Sequence, residues 1–377
     1  MATMSDLSPE LVGEILARVP LTSLSSVRCT CKMWNALSKD EILCKAAEAR
    51  KQFMGFMMMD SRVCSVKFDL QGIRKEEEDF VDPCIKQIDK LDQFKVYKVL
   101  QCDGLLLVVM EDNSSLLVWN PYLGHMRFIK PREIFHLLDC YALGYDSNRN
   151  HKILRITTTV YEIYDFSSHS WRVLEVTPDW DIPHYQRFVS LNGNAYFFSQ
   201  EKLVIIGDVE EIEDFLLCFD FTTERFGPRL PLPFHSYVCE TVALSCVRDD
   251  QLAVLYQRLE PDLVLDIWVT TNIEPTAVSW SMFLRVDMKP LTGFQFDEES
   301  GSFFIDQEKK VAVVFDLDRY RRFEIHRYQT AYIIGEDGYF KIVNLREAPD
   351  LGKPDKFYAF CYPLLSSSNY SPSLVQL

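Results

Sequence analysis

The chain has 377 residues, 47% of them apolar and 25% charged, which is the balance of an ordinary globular protein and too long for one small domain. Forty basic residues stand against 55 acidic ones, a net charge of −15, and that excess argues against nucleic acid or an anionic membrane as partner, because both call for a basic face. No apolar run approaches the ~18 residues that cross a bilayer; the richest is Phe53–Met59, and Asp6, Glu10, Glu14 and Arg18 interrupt the first stretch where a secretory leader would be apolar.

Ser8-Pro9-Glu10 opens the first predicted helix. Ser8 can cap it, Pro9 suits the first turn because its missing N–H had no partner there, and Glu10 and Glu14 suit the positive end. Leu11, Ile15, Leu16 and Val19 recur at helical spacing, and Pro20 stops the run. Leu24, Val27, Cys31, Trp34 and Leu37 then recur every three or four residues, which reads as one or two further short helices. A small helical domain is expected over 1–45, followed by a connecting helix or linker over 46–60. So few residues bury a core poorly by themselves. Either the block caps the next domain, or it is a hook whose apolar face is completed by another protein.

The residues themselves favour the hook. Leu7, Pro9, Leu11, Glu14-Ile15-Leu16, Arg18-Val19-Pro20, Ser23-Leu24, Arg28, Cys31-Lys32 and Trp34-Asn35-x-Leu37 resemble the F-box motif position by position. The usual opening is Leu-Pro; Leu7-Ser8-Pro9 sets the proline one place later, still at the helix start. The resemblance implies docking on a Skp-type adaptor and, through it, a cullin. The adaptor-binding residues it implies are Leu7, Pro9, Leu11, Ile15, Leu16, Val19, Pro20, Leu24, Val27 and Trp34, with Trp34 alternatively binding the hook's own helices together.

Beyond residue 55 the helical period disappears, and a mainly β domain is expected over 61–377. Strands are predicted at 105–110, 116–119, 153–157, 161–164, 195–198, 215–219, 252–256, 263–269, 303–305 and 311–315, separated by turns such as Asn192-Gly193-Asn194. An aromatic followed by Asp or Asn recurs at Phe68-Asp69, Trp119-Asn120, Tyr164-Asp165, Phe219-Asp220 and Phe315-Asp316, with Trp268 in the same phase. The intervals are 51, 45, 55, 49 and 47 residues. A second aromatic follows most marks, at Phe128, Trp171, Phe226, Trp280 and Phe323. A period near fifty in all-β sequence is one four-stranded propeller blade. Each Asp or Asn is expected to bond its own backbone and tighten a turn. Six marks are visible, and residues 325–377 are left for a seventh unit or a closing strand.

The Gly-Gly pairs of kelch blades and the phased Gly-His and Trp-Asp pairs of WD-repeats are missing. The segments resemble the F-box-associated domain of the large plant F-box family instead. The resemblance rests on Cys102-Asp103-Gly104-Leu105-Leu106-Leu107, Val118-Trp119-Asn120-Pro121, Leu143-Gly144-Tyr145-Asp146, Tyr164-Asp165-Phe166-x-Ser168-x-Ser170-Trp171-Arg172, Phe219-Asp220-Phe221-x-Thr223-Glu224-Arg225-Phe226 and Pro372-Ser373-Leu374-Val375. It implies a propeller-like domain that recruits a target protein.

No catalytic motif is present: no P-loop, no Gly-x-Ser-x-Gly elbow, no His-Glu-x-x-His. Eleven cysteines without a Cys-x-x-Cys read as reduced thiols of the cytoplasm and/or nucleus rather than a zinc site, and no cofactor or metal is expected. The acidic runs at 75–79 and 207–214 read as solvated loops. Pro178-Asp179-Trp180-Asp181-Ile182-Pro183-His184 gathers two acids, an indole and an imidazole between two prolines, and Trp180 is the candidate anchor for a target. The expected function is a non-catalytic substrate receptor of a Skp–cullin–F-box ubiquitin ligase. The alternatives are a scaffold that binds the adaptor without delivering a target, and a propeller enzyme with an axial site. Only a target whose level rises on removal of the protein separates the first two; turnover by residues 55–377 would revive the third.

Overall fold

Apolar runs without alternation are what a strand covered on both faces requires, and in the computed structural model such runs form the middles of six antiparallel sheets. The structure describes residues 8–16, 19, 32–37, 53–70, 73, 83–112, 115–132, 139–183, 186, 188–202, 213–237, 240–247, 250–259, 261–297, 302–317, 328–347, 363–366, 370 and 372–377. Among the described residues two short helices precede the sheets: α1 (Pro9–Leu16) and α2 (Lys32–Leu37).

Blade 1 holds β1 (Phe53–Met59), β2 (Arg62–Phe68) and β3 (Cys84–Gln87). Blade 2 holds β4 (Val96–Cys102), β5 (Leu105–Met110), β6 (Leu116–Asn120) and β7 (His125–Ile129). Blade 3 holds β8 (Cys140–Tyr145), β9 (His151–Ile156), β10 (Tyr161–Asp165) and β11 (Ser170–Leu174). Blade 4 holds β12 (Trp180–Asp181), β13 (Val189–Leu191), β14 (Asn194–Glu201), β15 (Asp214–Asp220) and β16 (Arg225–Phe226). Blade 5 holds β17 (Thr241–Val247), β18 (Gln251–Gln257), β19 (Val264–Glu274) and β20 (Ala277–Asp287). Blade 6 holds β21 (Ser302–Asp306), β22 (Val311–Leu317), β23 (Tyr328–Gly335) and β24 (Phe340–Glu347). Eight of the ten predicted strands fall within these elements, and the other two, 153–157 and 263–269, overrun β9 and β19 by one residue each.

The segment beyond 325 makes no seventh blade. Residues 328–347 complete blade 6, and β25 (Leu364–Leu365) pairs with β1 as the innermost strand of blade 1. The chain's end thus closes a six-bladed ring onto its beginning. Ser302 Oγ of blade 6 donates to Pro363 O and accepts from Leu365 N, and Ser366 N donates to Phe56 O at 2.8 Å. The tail then continues to blade 2, where the buried Asn120 Nδ2 donates to Ser373 O and Val375 O, each at 2.9 Å.

The β domain begins at Phe53, inside the 46–60 segment expected as a connector. The reason is that β1 serves two cores at once: Met57 and Met59 enter the core shared with blade 6, while Phe56 and Met58 enter the one shared with blade 2. A strand apolar on both faces shows no period of two, so the run reads as featureless. Residues 46–52 of that connector and the acidic run at 75–79 lie outside the described residues, as do 207–212 of the second run.

The aromatic–Asx marks end the third strand in blades 1 to 4, counting from the axis. There the acids bond as expected: Asp165 accepts from Ser167 N and Ser168 N, and Asp220 from Thr222 N and Thr223 N. The second aromatics complete cross-strand pairs, Trp171 opposite Tyr164 and Phe226 opposite Phe219. In blade 5 Trp268 sits mid-strand, and Phe315-Asp316 ends the second strand of blade 6, not the third. The phase slips because the eleven-residue strands β19 and β20 spend extra residues on a long hairpin. That hairpin covers blade 4, whose outer strand β16 is only two residues long: Ile273, Val278 and Trp280 pack on the blade-4 core, and Trp280 Nε1 donates to Pro231 O. Gly227 permits the contact, since a Cβ there would meet Pro275 O at 2.6 Å.

Candidate interaction surfaces

The first surface is on the helical hook. Ser8 caps α1 through its Oγ, which accepts from Leu11 N at 3.3 Å. Val12 and Leu16 are buried on one stripe of α1, and α2, which lies against α1, buries Trp34. The neighbouring stripe is open: Leu11 is 46% and Ile15 36% exposed, one turn apart on the same face. Two of the residues expected to touch a partner, Leu16 and Trp34, are therefore inward-facing, because a helix this small needs part of its apolar face for its own packing. Leu11 and Ile15 stay available, Val19 is half-buried, and Pro9 stands at the start of α1. Leu7, Pro20, Leu24 and Val27 lie outside the described residues. Val12, which the 11/15/16/19 spacing passed over, is the i−4 partner of Leu16.

The second surface is an end of the propeller. Turns between first and second strands, and between third and fourth, emerge at one end and largely bond themselves. Two-residue turns with both φ positive join β4 to β5 at Asp103-Gly104 and β13 to β14 at Asn192-Gly193. The Asn192-Gly193 turn is seated on blade 3: Gly193 O accepts from Tyr145 N, and a Cβ on Gly144 would meet the Phe221 ring at 2.2 Å and Gly193 O at 2.4 Å. Loops between second and third strands, and between blades, emerge at the other end.

Trp180 belongs to that loop end, but its indole is 7% exposed, packed with Phe215, Leu217, Tyr161 and Phe226. The ring centroids of Trp180 and Phe226 are 4.6 Å apart. It is core, not an exposed anchor. The reason is that β12 and β13 both pair with β14, with Trp180 opposite Glu201 and Val189 opposite Tyr196. Both thus form one edge against β14, and Trp180 is held in the sheet.

A cleft of about 420 Å³ opens on the loop end at blade 5, between Pro233–Tyr237 and the Arg258–Asp262 loop. Its walls include Phe234, Tyr237, Tyr256 and Trp268, and Phe234 stacks on Tyr256 at 4.2 Å with the rings 8° from parallel. Glu240 ties three segments together: it accepts from the Tyr256 hydroxyl at 2.6 Å, from Tyr237 N at 2.9 Å and from Leu259 N at 3.3 Å. Burial, and then the Glu240 carboxylate, hold the Tyr256 phenol above its ordinary range, so it stays a donor. Asp266 takes Arg285 in a bidentate pair at 2.6 and 2.7 Å, which raises the guanidinium's affinity for its proton. Asp214 anchors the outer wall, accepting from Ser236 N and Ser236 Oγ with His235 Nδ1 3.1 Å away. Serine, histidine and aspartate meet there, but serine and histidine each engage the carboxylate separately, so the arrangement clamps a loop. The sequence offered little sign of the cleft, since its walls are separated by twenty to fifty residues and meet only through blade pairing.

Comparison with known proteins gives two family matches: the F-box domain over residues 4–46 and the F-box associated beta propeller domain over residues 54–377. F-box protein At4g17200 of Arabidopsis thaliana is 71% identical over the full length of both chains. F-box/kelch-repeat protein At3g13680 of the same plant is 58% identical, over 100% of this chain and 97% of its own. A third Arabidopsis relative, F-box protein At3g49510, is 54% identical over the full length of both.

Proposed function

The chain belongs to the F-box proteins with an F-box-associated β-propeller domain, and on that premise we propose that it is the substrate-receptor subunit of a Skp–cullin–F-box ubiquitin ligase. The observation that carries this is the open stripe of α1. Leu11 and Ile15 are large apolar side chains one turn apart, left exposed by a hook that has already buried Val12, Leu16 and Trp34. Such a stripe on a helix is what a partner's groove takes up. The six-bladed ring in the same chain offers a rigid, loop-bearing end for a target. The receptor does no covalent chemistry. It raises the target's effective concentration beside a charged ubiquitin-conjugating enzyme, so that an encounter in solution becomes one within a complex. The reading carries with it a cytoplasmic or nuclear location.

The test is co-expression of the full chain with a Skp-type adaptor and cullin, followed by size-exclusion chromatography. A stoichiometric complex is expected from the wild type. Leu11→Asp combined with Ile15→Asp is expected to abolish it without changing the melting of the β domain. A double variant that still co-purifies at wild-type yield defeats the reading.

A further inference from the structure

The cleft on blade 5 has more apolar surface at its mouth than its own packing needs. The lining residues Tyr237 and Leu259 are 53% and 40% exposed, and Met282, 37% exposed, stands beside the cleft as the ladder partner of its lining residue Trp268. Aromatic and long apolar side chains around a hydrogen-bonded floor are the makings of a protein-docking site, and Glu240 and Asp214 fix the walls in advance, which lowers the ordering cost of binding.

The charge balance says what the occupant carries. Within the cleft Arg285 is matched by Asp266, and Arg258 lies at the Tyr256 hydroxyl that Glu240 also engages. Asp262 is left without an ion pair among the described residues. Among the described residues that line the cleft, three carboxylates (Glu240, Asp262 and Asp266) thus face two guanidiniums (Arg258 and Arg285). The chain as a whole carries −15. A cation beside Tyr237 gains from the ring face as well as from the carboxylate.

We propose that this cleft is the target-docking site and that it takes an extended protein segment bearing an arginine or lysine flanked by apolar residues. The basic side chain lies between Tyr237 and Asp262, and the apolar neighbours cover Leu259 and Met282. The proposal rests on the receptor reading only in taking the occupant to be a protein.

The probes are two fluorescein-labelled octapeptides of alternating Leu and Gly around a central pair of residues, Arg-Arg in one and Glu-Glu in the other. Binding to the full chain is followed by anisotropy at 50 and 300 mM salt. The Arg-Arg peptide is expected to bind at least tenfold more tightly than the Glu-Glu peptide, and more weakly at high salt. Asp262→Lys and Tyr237→Ala are each expected to weaken it at least fivefold with unchanged melting temperature, because both side chains are exposed. Asp250→Lys, an exposed acid in the β17–β18 turn at the opposite end, should leave it unchanged. Equal binding of the two peptides, no effect of Asp262→Lys and Tyr237→Ala, or an equal loss with Asp250→Lys overturns the proposal. None of these outcomes touches adaptor binding, which Leu11 and Ile15 report separately.

Discussion

Asn120 is expected to be worth more than its counterparts at the same point of the repeat, because it does two jobs. In blades 3 and 4 the residue after the aromatic is Asp165 or Asp220, and a carboxylate suffices, since the turn only needs an acceptor. In blade 2 the acceptor role is the same, Asn120 Oδ1 taking Leu123 N at 3.0 Å. The amide also donates to Ser373 O and Val375 O of the tail, which a carboxylate cannot do. Asn120→Ala removes three hydrogen bonds at a fully buried site, at about 1 kcal/mol each, so about 3 kcal/mol in all. With an unfolding entropy of about 2.1 cal/mol/K per residue across the matched span 54–377, that lowers the melting temperature by about 4 °C. In a chain ending at Ser371 the two tail bonds are already gone, so the same substitution should cost only about 1 kcal/mol, the turn bond. Asn120→Asp keeps the turn but points a carboxylate at two carbonyl oxygens, which raises its pKa in the folded state. Its penalty relative to wild type is therefore present near neutral pH and relieved as pH falls through that raised value. Scanning fluorimetry of the four chains that combine wild type or Asn120→Ala with full length or truncation reads the coupling directly. The reasoning is refuted if Asn120→Ala costs the same with and without the tail, or if Asn120→Asp melts with wild type at pH 7.5.

Gly144→Ala is expected to cut soluble yield and lower stability by at least the ~1–3 kcal/mol of an overpacked core, because its Cβ would enter the Phe221 ring and Gly193 O. Gly338→Ala, with open space but φ of +74°, should cost only about 1 kcal/mol of backbone strain; equal melting temperatures for the two variants would contradict this. Burial pushes the Asp146 carboxyl up, but bonds from Asn150, Lys152 and Asn148 outweigh it and hold the group below the usual carboxylate range. Its contribution is then fully present above the unfolded pKa and lost as pH falls through the folded one. The gap in melting temperature between wild type and Asp146→Asn should narrow from pH 5 to pH 3, and a gap that stays constant would refute the assignment.

The strands that could be read from the sequence are those whose environment leaves a simple pattern. β5, Leu-Leu-Leu-Val-Val-Met, is buried along its whole length between neighbouring blades, so a continuous apolar run marked it. The inner strand β4, Val-Tyr-Lys-Val-Leu-Gln-Cys, alternates imperfectly because part of it looks into the axis, and the outer strand β11 is mostly solvated; neither left a pattern to follow. On the hook, spacing located an apolar helix but not which half of its apolar face turns inward. That depends on α2, which meets α1 only once both have formed. Trp180 was misjudged for a related reason. Proline and charge around it describe a loop correctly, yet the two residues 180 and 181 pair with β14, and pairing decides burial.

The scatter in the repeat bears on where specificity lies. The longest interval between marks, 55 residues, runs from Tyr164 to Phe219. It contains both the seven residues between β12 and β13 and the connection from Glu201 to Asp214, whose two ends stand at the loop end. Trp119 to Tyr164, at 45 residues, has neither of these excursions. At the opposite end the turns are short and hold themselves with Asx bonds and left-handed residues, so length there is constrained by the ring. Insertions at the loop end cost little, since closing a longer loop is only weakly penalised, and they leave blade packing untouched. A ring of this construction can change what it binds at one end while keeping the strands, the closing β25 and the tail on Asn120 that make it a ring. The blade-5 cleft, walled by one inter-blade loop and one second-to-third-strand loop, lies at the end where such change is least costly.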